Sequence, residues 1–153
     1  MRVVLSAIGK LKKTAPEYEL IQSYLKRLKW SFVVKEYEAK KVLSSEELKN
    51  AEATLLLSGI SDKSKVVVLD EHGKTLSSRE FAGQLRTWQN QGADTVAFLI
   101  GGADGHGEKA KKRADLMLSF GRMTLPHFLM RVVLAEQIYR AQTILDGHPY
   151  HRD

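Results

Sequence analysis

The 153-residue sequence contains no cysteine. That excludes disulfides, cysteine-ligated zinc and a thiol nucleophile, and it agrees with a reducing, cytoplasmic setting. No stretch of eighteen or more apolar residues occurs, so no membrane-spanning helix is expected. The opening MRVVLSAIGKLKK has a short apolar run. It has no basic region ahead of a long apolar core and no small-residue cleavage site behind, so it reads as a first strand and not as a signal peptide. Repeats, low-complexity tracts and linkers are also missing, which leaves one domain spanning 1–153.

Several catalytic signatures are absent too. The histidines His72, His106, His127, His148 and His151 form neither H-x-x-x-H nor H-E-x-x-H, and the pair His148 and His151 lacks a third ligand, so no metal is expected. Without a G-x-S-x-G elbow, a serine hydrolase is disfavoured. The dinucleotide fingerprint G-x-G-x-x-G is not met by glycines at 101, 102, 105 and 107, which follow a late strand. Gly102 and Gly107 have the spacing of a phosphate loop, but Glu108 stands where that loop needs lysine.

What is present is a basic balance, 24 Lys+Arg against 18 Asp+Glu, for a net charge of +6. Such a surface favours polyanions through counterion release, although it serves solubility equally well. The cations cluster at Lys10, Lys12 and Lys13, at Lys26, Arg27 and Lys29, and at Lys109, Lys111, Lys112 and Arg113. The first and third clusters flank apparent loops, which favours a nucleic-acid partner.

The chain alternates strand-like and helix-like segments. RVVLSAI (2–8), FVVKEYE (32–38), KVVVLD (65–70) and DTVAFLIG (94–101) read as strands. PEYELIQSYLKRLKW (16–30) reads as a helix with proline in its first turn. Ser44 with Glu47, and Ser77 with Glu80, are capping-box pairs that open two further helices, the first running to about Ser58 and the second ending at Gly92. Strands that are apolar throughout, separated by helices, imply an α/β fold with a parallel sheet flanked by helices on both faces. After a basic helix over 108–114 and a short strand in LMLSFGRMTLPH (116–127), a long helix covers 127–147. Its apolar surface is too wide for one stripe, so it is expected to be covered twice, by the sheet and by a second copy of the chain. On that helix Arg131, Glu136 and Arg140 read either as a salt-bridged polar edge or as a polar patch beside a binding site.

In VAFLIGGADGHG (96–107), the glycines at a strand end let backbone approach a ligand closely. Ligands of parallel sheets sit at the carboxyl ends of strands. Three such ends stand out: Leu69-Asp70, Gly101-Gly102, and Phe120-Gly121 running into RMTLPH. A pocket lined by them, rich in backbone donors and acceptors and short of cations, suits an uncharged or zwitterionic ligand such as an adenine with a ribose better than a triphosphate. Three ordinary strand–helix turns are the alternative.

FLIGGADG (98–105), SFGRMTLPH (119–127), RVVLAEQIYRA (131–141) and the terminal HPYHRD (148–153), together with RVVLSAIGKLK and VVVLD, resemble the SPOUT methyltransferases. More narrowly, they resemble the bacterial ribosomal RNA large subunit methyltransferase H family of pseudouridine N3-methyltransferases. The resemblance covers essentially the whole chain. It implies an α/β domain with a C-terminal trefoil knot. Knots are very rare, and topology rules alone would draw an unknotted sheet. It implies S-adenosylmethionine as cofactor, a homodimer with active sites at the subunit contact, and methylation of N3 of a pseudouridine in large-subunit ribosomal RNA on the assembled ribosome. It places cofactor contacts at Leu69, Gly101, Gly102, Phe120, Gly121, Arg122, Met123, Thr124 and Leu125, with Pro126 and His127 closing the loop. Gly121 departs mildly from a family in which serine is frequent there. It assigns the target base to the tail: Arg152 and His151 to contact or polarise it, and Tyr150 to pack. A disordered tail is the alternative, and Glu108 and Asp104 are weaker candidates. Two other functions remain open: a tRNA base methyltransferase, and a non-enzymatic ribosome-binding factor of the same fold.

Overall fold

The computed structural model describes residues 1–40 and 44–152, so Asp153 of the HPYHRD motif lies outside the described residues. Five strands, β1 (Arg2–Ile8), β2 (Ser31–Tyr37), β3 (Lys65–Thr75), β4 (Thr95–Ile100) and β5 (Leu116–Ser119), form one sheet. The order is β2-β1-β4-β3-β5 and every pairing is parallel. The helices are α1 (Pro16–Leu25), α2 (Ser45–Leu57), α3 (Ser78–Asn90), α4 (Glu108–Arg113) and α5 (His127–Leu145). No helix among the described residues is long and apolar enough to cross a membrane.

The unbroken apolar runs are explained by burial on both sheet faces. Leu5, Val67, Phe98 and Ile100 pack with Phe81 and Leu85 of α3 and with Leu134 and Ile138 of α5. On the other face Val66, Val68 and Leu99 meet Ala53 and Leu56 of α2 and Ala110 of α4. Each fully buried Leu, Ile or Phe contributes on the order of 1.5–3 kcal/mol. The one polar side chain inside β1, Ser6, is fully buried and donates to the Leu56 carbonyl at 2.7 Å, so it costs little.

Both capping boxes form, with Ser44 accepting from the Glu47 N–H and Ser77 from the Glu80 N–H. Three expectations are corrected. The first helix ends at Leu25 instead of continuing to Trp30. Leu28 and Trp30 turn into the main core, and the N–H groups of Lys29 and Trp30 donate to the Gln142 side chain at 2.7 and 3.2 Å. Tertiary packing overrides the helical period there. Strand β3 does not stop at Asp70. It breaks register after Leu69 and pairs again with β5 at Lys74 and Thr75. Finally, much of the wide apolar surface of α5 is covered within its own chain, by α1 as well as by the sheet, while Leu129 stays exposed. Leu134, Ile138 and Ala141 face the main core, while Val132 and Ala135 face Ile21 of α1. The width of that surface therefore does not by itself require a second copy.

Candidate functional site

At the carboxyl ends of β3, β4 and β5 lies a cavity of about 470 Å³, within the range of small-molecule sites, roughly 300–1,000 Å³. Leu69, Gly101, Gly102, Phe120, Gly121, Met123, Thr124 and Leu125 line it. Arg122 does not line it and is exposed. Asp70, read as part of the first strand end, lines it too, and residues not assigned to the pocket from sequence join the wall: Lys49 of α2, Glu71 and His72 of the β3 break, His106, Lys111 of α4, and Met130 of α5.

The glycine loop is shaped from beneath. Glu52 of α2 is 6% exposed and accepts a hydrogen bond from the Gly102 backbone. A Cβ at position 102 would lie 2.6 Å from Glu52 Oε1, which is why only glycine fits. Burial pushes the Glu52 carboxyl up from its ordinary value, and the Asp104 charge adds to the rise; the Gly102 N–H only partly offsets them. On the opposite wall, Gly121 adopts φ +124°, a conformation that side chains strain to reach. Its turn is closed by Ser119, whose Oγ accepts from the Gly121 N–H at 3.1 Å and donates to the Gly121 carbonyl at 2.9 Å. The glycine that departs from the family habit is thus matched to this backbone.

Charge in the cavity is mixed. Asp70, Glu71 and Asp104 stand against Lys49 and Lys111. Burial alone would raise the Asp70 carboxyl. The His72 backbone N–H at 2.9 Å and the His72 ring more than offset this, and the net shift is downward, so Asp70 is a carboxylate at neutral pH. His106 is 7% exposed, and burial lowers its pKa despite the Leu69 carbonyl and Asp70. It is therefore neutral near pH 7.

The tail lies elsewhere. Tyr150 packs edge-on against Tyr139 of α5 at 4.8 Å between ring centroids, and its hydroxyl donates to Glu136 Oε1 at 3.0 Å. Burial, with that hydrogen bond, pushes the phenol up to about 12. Arg140 Nε donates to Glu136 Oε1 at 2.9 Å, and Arg140 Nη1 lies 3.2 Å from His151 Nδ1. Arg27 stacks over Tyr24, Tyr139 and Tyr150. The tail is thus docked through Tyr150 and His151, with Arg152 exposed beside them. Glu136 and Arg140 lie six and ten residues beyond Met130, the last residue of α5 to line the cavity. At 1.5 Å per residue that is about 9 and 15 Å along α5. The chain does not bring Tyr150, His151 or Arg152 to its own cavity.

Arg131 is no part of that patch. It is 1% exposed and binds Glu36 at 2.6 Å and the Ile8 and Gly9 carbonyls at 3.0 and 2.7 Å. Other cations are also partly engaged: Lys29 pairs with Asp146 at 2.8 Å, and Arg113 with Asp115 and the Ser64 carbonyl. Among the described residues no group of three or more His, Asp or Glu is placed to hold a metal ion.

His106 is the functional candidate that sequence reasoning missed. It lies inside the glycine stretch, but was weighed only as a metal ligand; its place four residues past the Gly101-Gly102 strand end was the available signal.

Residues 1–151 match the family model described as "Predicted SPOUT methyltransferase". The chain is 53% identical over 152 residues to "Ribosomal RNA large subunit methyltransferase H" of Paramagnetospirillum magneticum, covering 99% of both chains. It is 51% identical over 152 residues to the protein of that name from Rhodospirillum centenum, again covering 99% of both. The protein of that name from Cereibacter sphaeroides is 47% identical over 156 residues, with 99% of each covered. With a parallel sheet whose strand-end loops enclose one small-molecule cavity, and with likeness running from end to end, the chain belongs to the SPOUT methyltransferase family.

Proposed function

We propose that the chain is a ribosomal RNA methyltransferase that moves a methyl group from S-adenosylmethionine to N3 of a pseudouridine in 23S ribosomal RNA on the assembled ribosome. The observation that carries this reading is the likeness of about half of all residues, over full length, to relatives bearing that name. The cavity chemistry agrees. Apolar Leu69, Leu118, Phe120 and Leu125 can take a flat adenine, and backbone at Gly101 and Gly102 can reach its polar edge. Three carboxylates against two ammonium groups favour a sulfonium cation and disfavour a triphosphate. The Nδ1 of His106, buried without a partner, marks the site as polar at its floor.

When bound, S-adenosylmethionine supplies an electrophilic methyl group and leaves as S-adenosylhomocysteine. The protein's task is to align the acceptor nitrogen with that methyl and to ease the loss of the N3 proton. Arg152 and His151 are assigned to the target base, and Tyr150 to holding them against α5. Since Tyr150 and His151 are held at Glu136 and Arg140 and none of the three tail residues lines the cavity of its own chain, the reading requires a homodimer in which each tail serves the partner's cofactor. Met123 at the cavity rim, 85% exposed, and Leu129, 39% exposed, are apolar groups that such a contact would cover.

The trefoil knot belongs to this reading, and its support is the match of residues 1–151 to the SPOUT family model. A cytoplasmic location follows from a ribosomal substrate. Transfer of labelled methyl to purified ribosomes, followed by nuclease mapping, tests the function. Label in a large-subunit pseudouridine is expected. Label only on free tRNA would instead favour the tRNA enzyme, and no cofactor binding at all would favour a non-enzymatic ribosome-binding factor.

A further inference from the structure

The β3–β4 ladder runs from Lys65 opposite Val96 to Val68 opposite Leu99. Continued by one residue, that register sets Leu69 opposite Ile100, and the next parallel rung would join the Gly101 N–H to the Leu69 carbonyl. The ladder stops short of it. Between those two groups sits His106, its Nε2 3.0 Å from the Leu69 oxygen and 3.2 Å from the Gly101 nitrogen. A Cβ on Gly101 would lie 3.2 Å from the His106 ring, so the imidazole rests directly against the strand end.

We propose that His106 is a positioning residue of the cofactor site: its imidazole replaces the next ladder rung, holds β3 and β4 apart at their carboxyl ends, and selects by its tautomer which backbone group faces the cofactor. This rests on reading the cavity as the S-adenosylmethionine site. One nitrogen cannot donate and accept at once. With the proton on Nε2, the ring donates to Leu69 and leaves the Gly101 N–H for a ligand acceptor. With the proton on Nδ1, Nε2 accepts from Gly101 and leaves the Leu69 carbonyl for a ligand donor. Either state leaves Nδ1 buried and unpaired, so the arrangement is costly, and the ring that bears the cost lines the cavity. Protonating both nitrogens removes the acceptor and adds a charge among Asp70 on β3, Lys111 on α4 and His127 on α5.

The test uses S-adenosylhomocysteine as probe. Its affinity is measured by calorimetry for the wild type, His106→Leu and His106→Gln from pH 5.5 to 8, and the imidazole nitrogens of the wild type are followed by ¹⁵N NMR. His106→Leu is expected to bind about ten-fold more weakly at pH 7.5, the equivalent of one lost hydrogen bond. His106→Gln carries a separate donor and acceptor. It is expected to stay within about three-fold of the wild type and to bind without the weakening that the wild type shows toward the acid end of the range, where the imidazole takes up a second proton. The imidazole signals should report one tautomer and change on saturation. Equal affinity and equal pH profiles for wild type and His106→Leu would overturn the proposal. Should that variant fail to fold, imidazole signals unmoved by the probe would overturn it from the wild type alone. A wild type that binds no probe would instead bring down the cofactor reading, and this inference with it.

Discussion

Substituting Gly102 with alanine tests how the glycine loop is held. The new Cβ would lie 2.6, 2.8 and 3.0 Å from Oε1, Oε2 and Cδ of Glu52. Gly102 has no left-handed φ, so backbone strain does not contribute and the collision is isolated. Glu52 has nowhere to go: it is 6% exposed, and its own helix packs under the loop. Relief requires the carboxylate to leave the Gly102 N–H, and a hydrogen bond to a charged group is worth about 1.5–3 kcal/mol. Alanine recovers about 0.4–1 kcal/mol by restricting the unfolded chain. The net loss is about 0.5–2.6 kcal/mol, which at about 2–4 °C per kcal/mol for a chain of this size lowers Tm by about 1–10 °C. Calorimetric melting of Gly102→Ala, made in the wild type and in a Glu52→Ala background, reads the effect directly. The second background removes the obstacle, so the same substitution there should cost under about 0.5 kcal/mol. Equal costs in both backgrounds would refute the account, as would a Gly102→Ala protein that melts with the wild type.

Other outcomes follow from the same contacts. Arg131→Ala removes the buried guanidinium from half-buried Glu36, which keeps the Leu11 N–H, and from the Ile8 and Gly9 carbonyls, and should cost about 2–4 kcal/mol in denaturant unfolding; Arg131→Lys, lacking the fork, should not restore it. Glu52 has a raised folded pKa, so the unfolded chain releases that proton first and stability falls as pH rises above about 4.5. Glu52→Gln should therefore melt above the wild type at pH 8 by a margin that shrinks toward pH 4. Changing Lys10, Lys12 and Lys13 together to Glu should weaken ribosome binding while leaving S-adenosylhomocysteine affinity intact; a loss of cofactor affinity would sink the assignment of that loop to RNA. Mixing an inactive cavity variant, Gly101→Trp, with an inactive tail variant, Arg152→Ala, should restore methyl transfer as subunits exchange, because one of the two sites in each mixed dimer is whole. Persistent inactivity of the mixture would place tail and cavity in separate functions.

Local signals were legible where their cause is local. The capping boxes at Ser44 and Ser77 need only residues three apart, and both form as read. The strand cores of β1 and β4 are apolar because both sheet faces are covered, and a continuous apolar run says so. The misreadings all have distant causes. Gln142, more than a hundred residues away, ends α1 by binding the Lys29 and Trp30 N–H groups. The continuation of β3 past Asp70 exists only because β5 pairs there. Arg131 looked like a surface group on a helix edge, and its partner Glu36 is 95 residues earlier. The cavity residues fall between these cases. Glycines at strand ends announce a site, but the histidine standing in for a rung is visible only once the register of two strands is known.

The position of β1 between β2 and β4 has a consequence for how the protein is born. Arg2 pairs with Thr95, and Ala7 with Ile100. The centre of the sheet therefore cannot close until the fourth strand has been synthesised. At roughly 5–20 residues per second that leaves Val3, Val4 and Leu5 waiting for about 5–20 s with only β2 for company. During that interval the nascent chain carries an apolar strand with one unpaired edge. In crowded translation such an edge invites pairing with a neighbouring chain.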